Sequence, residues 1–270
     1  PSEREILLDQ LLRTIERSVR DLLPQSPEAL GASSNDLVPY TEASALSRSF
    51  RRLAASVELE GVRLYRREGI GTDGKVIASE PPAFVVDEAL EHEPNLLDYR
   101  IARLLALSGF GSKLVGSRRS NAELESLFSA LVAACQPTAS AAEAASGGGG
   151  KVVESSYEGG LASLLRKKMS SHAREAILSI HEEIKPRATE AIHYVESRAS
   201  LFALLHTGML YAAIAEAFRT DPPLKRASRN GLESLYGAVK ESRLLRHILE
   251  ISLNPAFIAC YNESQRGTGS

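Results

Sequence analysis

The sequence has no long apolar run. Its most apolar segments, such as AFVV and LFALLH, fall far short of the roughly 20 residues that a helix needs to cross a bilayer. The N-terminal residues PSEREILLDQ also lack the basic and then apolar pattern of a secretory signal. We therefore expect a soluble cytoplasmic protein with no membrane partner.

Neither sign of charge is in large excess. The chain has 32 Lys and Arg residues against 34 Asp and Glu residues, so it has no global field that would attract nucleic acid or anionic lipid. Two short basic clusters, SRRS from Ser117 and LRKKM from Leu165, have no aromatic residues beside them on which bases would stack. We interpret both clusters as solvated helix ends and expect no nucleic-acid partner.

Cysteine is scarce, and the sequence has no recognisable nucleophile motif. Cys135 and Cys260 are far apart in sequence and have no CxxC spacing, so we interpret both as reduced structural thiols. A GxSxG elbow is also missing. These absences exclude the common zinc, redox and serine-hydrolase signatures.

The histidines do not form a zinc motif. Two histidines four residues apart on a helix share a face and can bind one zinc ion, but no pair has this spacing. HEEIK at His181 and HEPNL at His92 begin like HExxH, but Lys185 and Leu96 occupy the second ligand position. We expect no metal and no cofactor. The six histidines are His92, His172, His181, His193, His206 and His247.

The patterns predict a predominantly helical α+β fold. Apolar residues recur at helical spacing from Ile6 to Leu23, which predicts an amphipathic helix that Pro24 ends. A second helix is predicted from Thr41 to Ser56. The segments GVRLYRREG, KVIAS and AFVVDEAL, separated by turn residues, predict a small sheet of two to four strands near residues 60–90, packed with helices.

The second half of the chain is predicted to be a helical lobe. One apolar stripe runs from Leu161 to Ile184, Pro186 separates it from a second helix that ends near Gly208, and two further helices cover about 230–240 and 241–253. The predicted parts are an N-terminal helix and linker (1–40), a sheet-plus-helix lobe (41–135), a flexible Ala/Ser/Gly-rich loop (136–160) and the helical lobe (161–270), with 41–270 as one composite domain.

An arginine interrupts the most apolar helix of the first lobe. The stretch LDYRIARLLALSGFGSKLVGS, from Leu97 to Ser117, predicts a helix that ends at a glycine-containing turn, with Asn95 at its N-cap and Asp98 in a capping-box position. Arg103 falls in the middle of the apolar residues. A buried guanidinium is costly unless it is paired, so this position needs an explanation.

The stretch resembles the C-terminal region of a family of bacterial tetratricopeptide-repeat proteins, which is itself similar to HExxH metallopeptidases. RIARLLAL follows PPAFVVDEAL in the place of the motif helix, and ESRAS resembles ExxAD. The resemblance puts Arg103 where the first histidine would be, Leu104 where the glutamate base would be and Leu107 where the second histidine would be. Glu196 matches the third metal ligand, and Ser200 replaces the aspartate.

The resemblance implies a pseudo-enzyme, because one carboxylate alone cannot hold zinc or activate a water. It also suggests a reason for Arg103: the guanidinium would form an ion pair with Glu196, its former co-ligand position. The alternative is that Arg103 extends along the helix surface to water.

The function that we expect is a non-catalytic protein-interaction or scaffold module. Its partner would be a helical-repeat segment or another subunit that contacts exposed apolar residues of the Ile6 to Leu23 helix. One alternative is an enzyme with a relocated acid/base site, which predicts shifted carboxylate pKa values in a pocket. The other is an oligomerisation domain. The residues of the relocated site would be Glu182, Glu183, Glu190 and His193.

Overall fold

A computed structural model of the chain describes residues 2–71, 74–109, 111–117, 121–136, 156–227 and 232–267. These residues form a predominantly helical α+β fold with a small sheet, as predicted. No helix in these ranges has the length and apolar content needed to span a membrane. The elements are α1 (Glu3–Val19), α2 (Ala45–Ser56), β1 (Arg63–Arg67), β2 (Lys75–Ile77), β3 (Ala83–Asp87), α3 (Pro94–Leu107), α4 (Lys113–Gly116), α5 (Asn121–Cys135), α6 (Ser156–Lys168), α7 (Ser171–Ile184), α8 (Ala188–Thr207), α9 (Leu210–Thr220), α10 (Pro222–Ala227), α11 (Leu232–Glu241), α12 (Arg243–Ser252) and α13 (Pro255–Gly267).

The chain divides into two compact units. Unit 1 contains Pro1–Pro24 and Phe110–Tyr194, and unit 2 contains Gln25–Gly109 and Val195–Ser270. This grouping differs from the sequence-based division, because the N-terminal helix joins the middle of the chain and the sheet joins the C-terminal helices. The flexible loop predicted at 136–160 is wrong for residues 156–160, which form the first part of α6, and residues 137–155 lie outside the described residues.

In unit 1, the apolar stripe of α1 is buried. Leu8, Leu11, Leu12 and Ile15 are each at most 2% exposed, and α1 packs against α7. The prediction that this stripe is exposed for a partner is therefore wrong, because the same unit already covers it. Ile6 alone among its large apolar side chains is exposed, at 47%. The helix itself begins at a capping box formed by Ser2 and Glu5, so it starts earlier than predicted.

Two charged side chains of unit 1 cap helices. The buried carboxylate of Glu16, on α1, accepts a hydrogen bond from the backbone N–H of Lys113 at the start of α4, at 3.0 Å. Burial raises the pKa of Glu16, although Lys113 opposes the shift. At the end of α5, Arg166 donates to the carbonyls of Ala133, Ala134 and Gln136. This arginine of the LRKKM cluster is therefore a helix cap and not a solvated cation. Of the SRRS cluster, only Ser117 lies within the described residues.

The stripe predicted as one helix from Leu161 to Ile184 is two helices. The break falls after Lys168, and the side chain of Ser170 accepts from the N–H of Ala173 as the N-cap of α7. A serine side chain that competes for backbone donors starts a new helix even where the apolar spacing continues. The predicted separation at Pro186 is confirmed.

In unit 2, the sheet has the strand order β1-β3-β2. β3 is parallel to β1 and antiparallel to β2. The central strand AFVV is buried on both faces, as expected for a continuous apolar run. Phe84 packs edge-on against Phe50 of α2, with ring centroids 5.4 Å apart, while Val85 on the opposite face packs with Tyr65 and Ile77. The predicted small sheet is confirmed.

The predicted starts of α2 and α3 are wrong by a few residues. α2 begins at Ala45, because the Ser44 side chain accepts from the N–H of Ser47. α3 begins at Pro94, with Glu93 at the N-cap and no side-chain cap. Asp98 makes no capping box with Asn95. Instead its carboxylate accepts hydrogen bonds from Ser49 and Arg52 of α2, which ties the two helices together.

The C-terminal helices of unit 2 depend on Gly208. α8 ends at Thr207, as predicted, and Gly208 has a φ of +67°. A Cβ atom added to Gly208 would lie 2.4 Å from the Tyr261 ring, so the glycine lets α13 approach the turn between α8 and α9. α9, α10 and α13 were not predicted from the sequence.

We expect Gly208→Ala to destabilise the protein by about 3 kcal/mol, because the left-handed backbone disfavours a side chain and the Tyr261 ring must also move. Gly71→Ala is the matched control. Gly71 has a φ of +89° but no atom within 4 Å of an added Cβ, so only the backbone term applies, about 1 kcal/mol. Urea unfolding of both variants measures the difference, and equal losses would show that the ring contact contributes nothing.

Candidate functional site

Arg103 is buried in the interior of unit 2. Its side chain is 4% exposed, and its neighbours Ile101, Ala102, Leu104 and Leu105 on α3 are at most 3% exposed. The alternative in which Arg103 extends to water is therefore wrong. A guanidinium in such a position needs opposite charge and hydrogen-bond acceptors within reach, because its desolvation is expensive.

Two carboxylates on two other helices face Arg103. Its Nη2 lies 4.0 Å from Oε1 of Glu196 on α8, and its Nη1 lies 3.8 Å from Oε1 of Glu216 on α9. The predicted ion pair with Glu196 is present. Glu216 was not predicted, yet it is the more deeply buried carboxylate, at 4% side-chain exposure against 17% for Glu196.

A second arginine completes this group. Arg219 donates from Nε to Oε2 of Glu216 at 3.0 Å and from Nη2 to Oε1, which makes a bidentate pair within α9. We call Arg103, Glu196, Glu216 and Arg219 the Arg103 cluster. Its two guanidinium and two carboxylate charges balance, with Arg103 and Glu216 buried, Glu196 17% exposed and Arg219 36% exposed.

Tyr99 and Ser200 lie beside the cluster. The Tyr99 hydroxyl is fully buried and donates to the backbone carbonyl of Ser200 at 3.2 Å. Burial raises the pKa of Tyr99 to about 12, although the charge of Arg103 opposes the shift. Tyr99 is therefore neutral at physiological pH. The Ser200 hydroxyl is buried and has no hydrogen-bond partner among the described residues.

The two leucines that the resemblance matches to motif positions, Leu104 and Leu107, are core residues. Leu104 and Leu107 are 2% and 4% exposed. A Cβ atom added to Gly74 would lie 3.0 Å from Leu104, so Leu104 fills the space against that turn. Within the described ranges, no group of three or more His, Cys, Asp or Glu side chains is arranged to hold a metal ion.

The residues of the predicted relocated site line none of three cavities, of about 500, 530 and 580 Å³, among the described residues. Glu182 and Glu183 are exposed on α7, and His193 is half-buried on α8. Glu190 accepts hydrogen bonds from Arg4 at 2.7 and 2.9 Å, and this contact lowers the pKa of Glu190. A general acid needs a raised pKa, so the contact with Arg4 does not favour this role for Glu190.

The structure describes the side chain of one of the two cysteines. Cys135 is a buried free thiol at the end of α5, and burial raises its pKa. It is therefore a poor nucleophile at neutral pH, in agreement with a structural thiol. The side chain of Cys260 lies outside the part of the chain that the structure describes.

The C-terminal helices of unit 2 expose much apolar surface. Among the described residues, seven of the eleven large apolar side chains that are exposed lie between Leu205 and Tyr261. Three of them, Tyr211, Ile258 and Tyr261, line one open cavity of about 500 Å³. We call this site the C-terminal apolar cavity. Its other main apolar lining residues are Met209, Leu210 and Phe257.

Comparisons of the chain with protein-family models, with curated proteins and with solved structures find no match.

We expect Arg103→Met to lower the free energy of unfolding by about 3–5 kcal/mol, because it leaves the buried carboxylates without the central cation. The matched control is Arg52→Met, which removes an ion pair with Asp98 whose partners are 59% and 37% exposed. Its loss should be below about 1 kcal/mol. Chemical denaturation measures both, and equal losses would show that Arg103 is not held in a closed interior.

Proposed function

We propose that the protein is a non-catalytic interaction module with a degenerate metallopeptidase-like fold. On the resemblance described above, Arg103 and Glu196 correspond to two former metal-ligand positions. The guanidinium would then supply, as a permanent part of the protein, the positive charge that a metal ion supplies in an active peptidase. Such a substitution would keep the helices packed together and would remove the catalytic activity.

The Arg103 cluster supports this proposal because its groups have little capacity for acid/base work. Glu216 is held by two guanidinium groups, those of Arg103 and Arg219. Burial raises the pKa of Tyr99 to about 12, further above neutral pH than that of a free tyrosine. A catalytic carboxylate must exchange protons with a substrate in an accessible cavity, whereas Arg103 and Glu216 are each 4% exposed.

The observation that carries the interaction function is the C-terminal apolar cavity. Tyr211 is 76% exposed, and Ile258 and Tyr261 are 43% and 39% exposed around the same opening. Large apolar side chains that cluster on a surface mark interaction sites in soluble proteins. Tyrosine is also enriched among the residues that dominate binding energy at protein interfaces. We infer that a protein partner covers this cavity.

The test is site-specific photocrosslinking in cells that express the protein. A benzophenone amino acid at Ile258 should give a discrete crosslinked product, and the same probe at Ile6 should give none. The two isoleucines are a matched pair, because they are 43% and 47% exposed and only Ile258 lines the cavity. Adding Tyr211→Asp to the Ile258 probe should reduce the product about ten-fold, since it places a charge in the apolar contact.

The size of the product separates the possible partners. A product of twice the chain mass would identify a second copy, and any other discrete mass would identify another protein. A product from Ile6 and none from Ile258 would contradict the proposal, because the partner would then bind unit 1. Equal crosslinking at both positions would also contradict it, since that is the pattern of non-specific contact.

A further inference from the structure

Unit 1 contains a cavity that the proposed function does not use. It has a volume of about 530 Å³, within the usual range of small-molecule sites, and lies between α5 and the turn that joins α7 to α8. Its apolar wall includes Phe128 and Val132 of α5 and Pro186 of the turn. Phe128 and Pro186 are buried, and Val132 is half-buried, so packing within unit 1 holds the side chains of this wall in place.

Charged side chains of both signs stand around this apolar wall. Glu125 of α5 and Arg187 of the turn are exposed, and His181 of α7 is half-buried. None of these three side chains makes a hydrogen bond or ion pair with a described residue. Glu125 and Arg187 also do not pair with each other, so the cavity presents separate acidic and basic groups.

The basic end of the cavity is strengthened by α8. The carbonyl of Arg187 accepts from the N–H groups of Glu190 and Ala191, so Arg187 is the N-cap of this 20-residue helix. The N–H groups of Ala188 and Thr189, in the cavity wall, have no acceptor within the helix. They favour an anion there, in addition to the guanidinium of Arg187.

Glu190 does not cancel this positive end. Its carboxylate reaches back to the backbone N–H of Arg187, but it is also paired with Arg4 through two hydrogen bonds. The charge of Glu190 is therefore balanced mainly by Arg4, and its interaction with the charge of Arg187 is the smaller one. The turn is also strained, because Lys185 has a φ of +41°, which is unfavourable for a residue with a side chain.

We propose that this cavity binds a zwitterionic amino acid with an apolar side chain. Its carboxylate contacts Arg187 and the first N–H groups of α8, and its ammonium group contacts Glu125. Its side chain lies on Phe128, Val132 and Pro186. A simple anion would leave Glu125 without a partner, and a simple amine would leave Arg187 without one. The proposal does not depend on the function of unit 2.

Isothermal titration calorimetry of the full chain tests the proposal with three matched probes. L-phenylalanine has both charges, 3-phenylpropionate lacks the ammonium group, and 2-phenylethylamine lacks the carboxylate. We expect phenylalanine to bind at least ten-fold more tightly than either analogue, because each charged hydrogen-bonded contact contributes about that factor. L-leucine and L-methionine, titrated in parallel, test the size of the side chain.

Two variants test which residue contacts each charged group of the ligand. Arg187→Gln should weaken phenylalanine about ten-fold and leave phenylethylamine unchanged, and Glu125→Gln should weaken phenylalanine about ten-fold and leave phenylpropionate unchanged. Glu182→Gln, on the exposed face of α7, is the control and should change nothing. The replaced side chains of all three variants are exposed, so loss of folding does not account for a selective effect.

Three results would overturn the proposal. The first is no binding of phenylalanine, leucine or methionine at millimolar concentration. The second is phenylpropionate or inorganic phosphate binding as tightly as phenylalanine, which would define an anion site only. The third is amino-acid binding that neither Arg187→Gln nor Glu125→Gln weakens, since the ligand would then occupy another place.

Discussion

The structure of unit 2 depends on the burial of one cation. The guanidinium of Arg103 is almost inaccessible to water, and its charge is balanced by carboxylates from two other helices. Separating any of these helices would leave a buried charge without its partner, which is among the most destabilising changes in a protein interior. The electrostatic balance of the cluster therefore links α3, α8 and α9.

The interior and the surface of unit 2 differ in the kind of side chain that they contain. The charged groups of the Arg103 cluster pair with one another, while large apolar side chains are exposed around the C-terminal apolar cavity. Gly208 connects the two features, because it ends α8 and allows Tyr261 of α13 to approach. We therefore interpret the polar interior as structural and the apolar surface as functional.

Much of this arrangement could be predicted from the sequence. The fold class and the small sheet follow from patterns along the chain, whereas the pairing of Arg103 with Glu196 was an expectation from the family resemblance. Glu216 could not be predicted as a partner, because only the packing of α9 on α3 brings it near Arg103. Its local pairing with Arg219, three residues later, was the one signal available. The burial of the α1 stripe was missed because an amphipathic helix has the same pattern whether its cover comes from its own chain or from a partner.

We propose that a guanidinium stands in the place of a metal ion, and metal content tests this proposal most directly. Elemental analysis of the purified protein, with thermal unfolding measured in the presence and absence of a chelator, should give no stoichiometric zinc and an unchanged Tm. Stoichiometric zinc together with a Tm that the chelator lowers would contradict the account. The protein would then bind a metal through ligands other than the Arg103 cluster. The proposal that Arg103 replaces a metal ion would be wrong.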